Sequence, residues 1–331
     1  MKKLSSRMLA IVTAIAASSS VVAQTPDGSI GAFPERPVRI VVPYGAGGAA
    51  DILARTLAAK LGQEWPKGVI VENKPGGVGV IGISSVVNAP PDGYTLVSVP
   101  VSDLAVNPHL YRKRPFDVLK DLAPVSQVGA VPNVLVVSRG LGISSARDLV
   151  ALARAKPGGL SYSSPGIGSQ AHLAAEIFAE RIGAKLLHVP YNGVSAALSD
   201  VAAGQIDLMF AQLPTALPFI KDGRVRALGV ASEKRSELIP DMPTLAEETG
   251  LSFGDMVSWS GLMAPAGTPL ALREAIAKKV TAAMRSPDVQ EKLRAQGTVG
   301  LGGTPDELAA AIARDHERYG KVIRALNIQL D

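Results

Sequence analysis

Val41-Val42-Pro43-Tyr44-Gly45-Ala46-Gly47-Gly48-Ala49-Ala50-Asp51-Ile52-Leu53-Ala54-Arg55 joins a strand to a helix. Val38 to Val42 is a β-branched run, and Ile52, Leu53, Leu57 and Leu61 recur at helical spacing, so the glycine-rich turn lies between the two. Glycines let a backbone approach a ligand closely, and N–H groups left unpaired where a helix begins favour an anion. The same residues also fit a tight turn that binds nothing. What decides between these readings is whether the pattern recurs.

It recurs three times. Val69 to Glu72 leads into Asn73-Lys74-Pro75-Gly76-Gly77-Val78-Gly79 and a helix to about Asn88. Thr95 to Val99 is a third strand, ending in the polar stretch Ser98 to Asn107, and Pro124 to Pro132 reads as a crossing between lobes. Leu160 to Ser164 runs into Pro165-Gly166-Ile167-Gly168-Ser169 and a helix whose Leu173, Ala174, Ile177 and Phe178 share a face. Leu186 to Val189 leads to Pro190-Tyr191-Asn192-Gly193, with Ser195 expected to cap the next helix. Ile206 to Phe210 is a further strand, Val225 to Val230 crosses back, and a long helix spans about Glu307 to Ala325. This alternation predicts parallel α/β lobes, and ligands in such sheets bind beyond the carboxyl ends of the strands, where all four loops lie. Two lobes with two such loops each predict a cleft closing on a small molecule.

The chain opens with Lys2, Lys3 and Arg7, an apolar run from Met8 to Ala17 and a small-residue segment ending Val21-Val22-Ala23. That is the layout of a secretory signal peptide over 1–23 with cleavage near Ala23, so the mature protein is expected to be exported, most simply to a periplasm. Without those three basic residues the net charge falls from +5 to +2, and no basic run or arginine-rich arm points to nucleic acid. The chain has no cysteine, which excludes thiol nucleophiles, disulfides, cysteine-bound zinc and lipid attachment through cysteine.

An enzyme needs a nucleophile with its base, a metal cluster or a cofactor motif. His109, His172, His188 and His316 are scattered without metal-binding spacing, so no metal is expected. Gly193-Val194-Ser195-Ala196-Ala197 lacks the second glycine of a nucleophile elbow. Gly77-Val78-Gly79-Val80-Ile81-Gly82 matches GxGxxG after a strand but lacks the acid about 20 residues on that a dinucleotide fold supplies, and no cofactor is expected. Aromatic residues make up only 4% of the chain, which ranks a carboxylate ahead of a sugar.

Beyond these loops the chain resembles the Bug, or TctC-like, family of periplasmic solute-binding components of tripartite tricarboxylate transporters. The resemblance rests on Val42 to Gly48 with Asp51 and Ala54-Arg55; Glu72 to Gly77 with Gly79 and Gly82; Asp92 to Leu96; and Asn107-Pro108 with Leu110-Tyr111. It continues through Gly166 to Ser169 with His172-Leu173 and Glu176, His188 to Tyr191 with Gly193, Ala203 to Asp207, Pro243 to Glu247 and Ala264 to Pro269. Nine motifs in order are specific where any one is weak.

The resemblance implies an α/β, two-lobed fold of the type II-like periplasmic-binding-protein kind, with a ligand cleft between lobes joined by two crossovers. Residues 24–132 and 233–331 would form one lobe and 133–232 the other. It implies a monomer that holds a small mono-, di- or tricarboxylate through backbone amides and delivers it to membrane permease subunits. An amino acid or other small polar solute, a sensor-type receptor and, more distantly, an exported enzyme are the alternatives. Carried over by position, the ligand-binding residues are Tyr44, Gly45, Ala46, Gly47, Gly48, Ser164, Gly166, Gly168, Ser169, Tyr191, Asn192 and Asp207. Ala46 stands where many relatives have proline, a change of little consequence for a loop acting through its backbone.

Several of these residues have plainer readings. Asp51 and Arg55, four apart on one helix, read as an exposed ion pair. His172 reads as satisfying a local hydrogen bond, Ser169 as a cap that also faces the cleft, and Trp65 and Trp259 as core, the latter near the lobe interface.

Overall fold

The structure, a computed structural model, describes residues 33–156, 158–191 and 193–330. The signal peptide read from 1–23 and the site candidate Asn192 lie outside them. β1 (Val38–Val42) feeds through the glycine turn into α1 (Ala49–Glu64), and β2 (Val69–Asn73), α2 (Val80–Val87) and β3 (Thr95–Pro100) repeat the unit. Where the sequence predicts a polar loop, the chain winds into a π-helical turn, Ser102–Val106, and α3 (Asn107–Leu110) before β4 (Leu122–Val131).

The second lobe follows as β5 (Asn133–Ser138), α4 (Ala146–Ala155), β6 (Leu160–Ser164), α5 (Gln170–Ile182), β7 (Leu186–Pro190), α6 (Val194–Ala202), β8 (Leu208–Gln212), α7 (Leu213–Lys221) and β9 (Val225–Val230). The return comprises α8 (Leu245–Thr249), β10 (Ser258–Pro265), α9 (Leu270–Met284), α10 (Pro287–Ala295), β11 (Val299–Gly300) and α11 (Pro305–Ala325). α4 begins with a capping box between Ser145 and Asp148. Ser195 does not cap: α6 starts one residue earlier, at Val194, with Gly193 as its N-cap.

Six strands form one sheet in the order β11-β4-β10-β3-β1-β2, and five form the other in the order β7-β6-β8-β5-β9. Neither sheet is purely parallel as the alternation predicts. β10 runs antiparallel to β3 and β4, and β5 antiparallel to β8 and β9, because these are the strands beside the passages between the lobes. Pro124 to Val131, read as part of the crossing, lies within β4, and Pro132 alone separates β4 from β5. The outgoing and returning chains are laced together there. Asn133 Nδ2 donates to the Met256 carbonyl (2.6 Å), the Ala231 N–H to the Asn133 carbonyl (2.8 Å) and the Met256 N–H to the Ala231 carbonyl (2.9 Å).

Aliphatic side chains fill both sheet faces: Ile40, Leu53, Leu57 and Leu61 are buried in the first lobe, and Leu160, Leu173, Phe178 and Phe210 in the second. Trp65 and Trp259 are each 5% exposed, in agreement with their reading as core. Among the described residues no helix is long and apolar enough to cross a membrane.

Candidate ligand-binding site

Two strand-to-helix loops, one per lobe, are built on one plan. In the first lobe Gly47 takes a left-handed φ of +85°, a conformation costly for any side chain, and its N–H turns back to donate to Asp51 Oδ2 (2.9 Å), the third residue of α1. In the second lobe Gly168, at φ +76°, donates its N–H to His172 Nδ1 (3.0 Å), the third residue of α5. Glycine, three residues, then an acceptor is the shared spacing.

The two acceptors are held differently. Asp51, 3% exposed, receives Arg55 Nε at 2.9 Å and Asn73 Nδ2 at 2.8 Å, and Asn73 Nδ2 also donates to the Tyr44 carbonyl (3.1 Å). Burial works against the charge of Asp51, but the hydrogen bonds from Arg55, Gly47 and Asn73 outweigh it and hold the carboxyl below its ordinary pKa. The pair is therefore the anchor of the loop rather than the exposed helix decoration its spacing suggests. His172 is 5% exposed, and burial pushes its pKa down to about 4, so its Nδ1 is a neutral acceptor near pH 7. Ser169 caps α5 by accepting the His172 N–H (3.3 Å).

Both loops open onto one cavity of about 530 Å³, lined among others by Tyr44, Gly45, Gly48, Gly166, Gly168 and Ser169. Ala46, Gly47, Ser164, Tyr191 and Asp207 do not line it. Ser164 lies beneath the loop, where its Oγ accepts the Gly166 N–H (3.2 Å) and sits 2.7 Å from His188 Nε2. The Tyr191 hydroxyl donates to Asp200 Oδ2 (2.5 Å), a bond that pushes its pKa up to about 12. Asp207 is corrected outright. Its carboxylate accepts from Ser161 N (2.7 Å) and Lys156 Nζ (3.1 Å) at the amino ends of β6 and β8, the end of the sheet away from the glycine loops.

Four of the amides expected to hold the ligand are already occupied. The N–H groups of Gly47, Gly166, Gly168 and Ser169 are spent inside their own loops. Those of Ala49, Ala50, Gln170 and Ala171, in the first turns of α1 and α5, have no acceptor among the described residues, and all four residues line the cavity. Among the described residues no lysine, arginine or histidine lines it, so the groups that favour an anion there are two helix N-termini, one per lobe. The free N–H groups that line the cavity thus include those of the expected Tyr44, Gly45 and Gly48, and the first helical turn after each loop adds donors that the sequence reading did not name.

Behind the first loop the Tyr44 hydroxyl donates to Asp103 Oδ2 (2.7 Å), and Asn107 Nδ2 to Asp103 Oδ1 (2.8 Å). Burial pushes the Asp103 pKa up to about 6 despite help from Tyr44, Arg114 and Asn107. The inner wall of the cavity is polar and joins the lobes: Gln212 Nε2 and Asn133 Nδ2 each donate to Ser258 Oγ at 3.2 Å, and Ser258 Oγ donates to Gln170 Oε1. Val78, Val101, Leu110, Ile167 and Phe210 form its apolar sides.

The model of the tripartite tricarboxylate transporter family receptor matches residues 50–328 of this chain. Protein BugT of Bordetella pertussis is 35% identical over 327 residues, 98% of each chain. The solved structure of R. palustris Rpa4515 with adipate is 33% identical at a TM-score of 0.77, covering 90% of this chain and 100% of that one. MatC from Rhodopseudomonas palustris with bound malate is 27% identical at a TM-score of 0.70, covering 88% and 100%. With its motifs in order, its two lobes and a family match across most of its length, this chain belongs to the tripartite tricarboxylate transporter receptor family, TctC, a family of solute-binding proteins.

Proposed function

We propose that this protein is an exported, monomeric receptor, not an enzyme, that captures a small carboxylate between its lobes and delivers it to the permease subunits of a tripartite tricarboxylate transporter. One observation carries the reading: two helix N-termini from different lobes present unpaired N–H groups to a single cavity that has no cationic side chain among the described residues. Such amides replace the hydration of a carboxylate without the side-chain ordering an arginine clamp would require. Similarity to a protein solved with adipate and another solved with malate supports the same ligand class.

The lobes are proposed to comprise 24–132 with 233–331, and 133–232, hinged where Asn133, Ala231 and Met256 bind one another. Closure about that hinge brings Ala49 and Ala50 towards Gln170 and Ala171 around one carboxylate. The rest of the ligand then meets Gln212, Asn133 and Ser258. Among the described residues the only acidic side chain lining the cavity, Asp51, is consumed by Arg55, Asn73 and Gly47, so an ammonium group would find no carboxylate partner there and a plain acid is favoured over an amino acid.

A thermal-shift screen tests this on protein refolded to remove carried-over ligand, against mono-, di- and tricarboxylates, amino acids and sugars. A ligand at 100 times its Kd adds about 2.7 kcal/mol of stability, which moves the transition by several degrees. Shifts confined to carboxylates are expected. A shift with sugars alone, or with amino acids in preference to their deaminated counterparts, overturns the assignment.

A further inference from the structure

Beneath the Pro165 to Ser169 loop lies a stack of three rings that no ligand in the cavity would touch. Tyr162 and His188 stack with centroids 4.8 Å apart, and His188 and His172 with centroids 4.2 Å apart. Tyr162 is fully buried, and its hydroxyl donates to Glu176 on α5, which ties the far end of the stack to the helix whose first turn faces the cavity. The two loop glycine N–H groups that donate to side chains, those of Gly166 and Gly168, find their acceptors in this stack or its neighbour. His172 Nδ1 takes the Gly168 N–H at 3.0 Å, and Ser164 Oγ, 2.7 Å from His188 Nε2, takes the Gly166 N–H at 3.2 Å.

We propose that His172 is a positioning residue of the anion site: its neutral imidazole, held flat by His188, fixes the left-handed turn at Gly168 so that the N–H groups of Gln170 and Ala171 remain free and aimed into the cavity. The proposal rests on the carboxylate reading above for its ligand, but its geometry stands on the protein alone. The task needs an acceptor at the Nδ1 position with no negative charge. A carboxylate there would lie within one helical turn of the bound anion, and α5 offers no counterpart of Arg55, since Glu176 occupies the equivalent place four residues on. It also fixes the tautomer, because Nδ1 can accept only if the ring proton is on Nε2.

The test has a ligand-free arm and a ligand arm. In the ligand-free protein labelled with 15N, a scalar coupling across the Gly168 N–H to His172 Nδ1 hydrogen bond is expected near neutral pH; its absence removes the anchor and the proposal with it. In the second arm, His172→Asn, which keeps an acceptor where Nδ1 sits, is compared with His172→Phe, which keeps a ring in the stack and loses the acceptor. Adipate and malate affinities are measured by calorimetry and unfolding of the ligand-free variants is measured separately. His172→Asn is expected to stay within about threefold of the parent, and His172→Phe to lose about tenfold, the scale of one hydrogen bond's net contribution. Equal losses in the two variants, no loss in His172→Phe, or a loss in His172→Phe that only mirrors lower stability overturns the proposal. If no carboxylate of the screen binds the parent, the carboxylate reading fails by itself, while the coupling and the Gly168 amide of His172→Phe still decide whether the histidine sets the loop.

Discussion

The glycine loop of the first lobe is tied down by a carboxylate, and that of the second by an imidazole, although Gly47 and Gly168 share one backbone conformation and bond the same position of the following helix. A carboxylate in the first turn suits the helix dipole, worth about 0.3–1 kcal/mol. It also puts a full negative charge below a site meant for an anion, and Arg55 and Asn73 are there to absorb it. The imidazole brings no charge and needs no counter-ion. It needs burial instead, which His188 and Tyr162 supply. One geometric task thus has two electrostatic solutions, and each lobe is open to a different kind of damage.

The largest difference is expected at the glycines themselves. Alanine at either position must adopt a left-handed φ at a cost of about 1–2 kcal/mol. At Gly47 a methyl group meets nothing within 4 Å. At Gly168 it runs into Leu110 Cδ1, and Leu110, 2% exposed in the other lobe, has little room to turn. Overpacking of this kind adds about 1–3 kcal/mol. Urea denaturation should therefore rank Gly168→Ala clearly below Gly47→Ala, and Gly168→Val, with a β-branched residue at the same φ, should lose adipate binding altogether. Equal stability of the two alanine variants would mean that Leu110 does not press on the second loop.

A smaller effect separates the lobes by charge. Arg55→Gln leaves Asp51 its bonds from Gly47 and Asn73 but removes the compensating cation. Arg55 is half exposed, so solvent screens much of its contribution, and a weakening of adipate binding by about threefold at low ionic strength is expected. Because the effect is electrostatic, raising the salt should shrink it. A loss that persists unchanged at high salt would point to a distorted loop instead.

The contrast between the loops also marks how far the sequence could be read. β1 and β6 are short β-branched or mixed runs stopped by proline and glycine, so their ends, the glycine turns and the helices that follow were legible residue by residue. Strand direction was not, since it depends on partners far along the chain. Pro124 looked like a break because proline cannot serve a regular ladder, yet the register shift between Leu262 and Met263 accommodates it inside β4. Asp207 entered the site only by position in the resemblance; the sequence already puts it at the start of β8, and the amino end of that strand lies away from the glycine loops. Which amides stay free was the hardest part. It depends on where Gly47, Gly166 and Gly168 aim their N–H groups, a matter of backbone rotation that residue identity constrains only loosely.

Acid should act on the two lobes in opposite directions, with the histidines of the second lobe prevailing. Asp103, behind the first loop, has its pKa raised from an ordinary 3.8 to about 6, so between those values the folded protein holds a proton that the unfolded chain releases. Its contribution is present below 3.8 and is lost as the pH rises through about 6. Burial pushes His172 and His188 down from 6.5 to about 4, so the unfolded chain takes up protons that the folded lobe refuses, and stability is lost as the pH falls from 6.5 through about 4. The slopes oppose each other across this window, but two histidines outweigh one carboxyl, and the urea midpoint of the parent protein should fall as the pH drops from 6.5 to 4. Asp103→Asn removes the first slope alone, and its midpoint should fall more steeply on acidification than the parent's; His172→Asn removes part of the second and should fall less steeply. Parallel curves for parent and Asp103→Asn would show that Asp103 does not oppose the histidines. Asp51, already held ionised by its hydrogen bonds, takes no part in this balance until the medium is more acidic still, so the second loop, anchored by a neutral base, should loosen first as the pH falls.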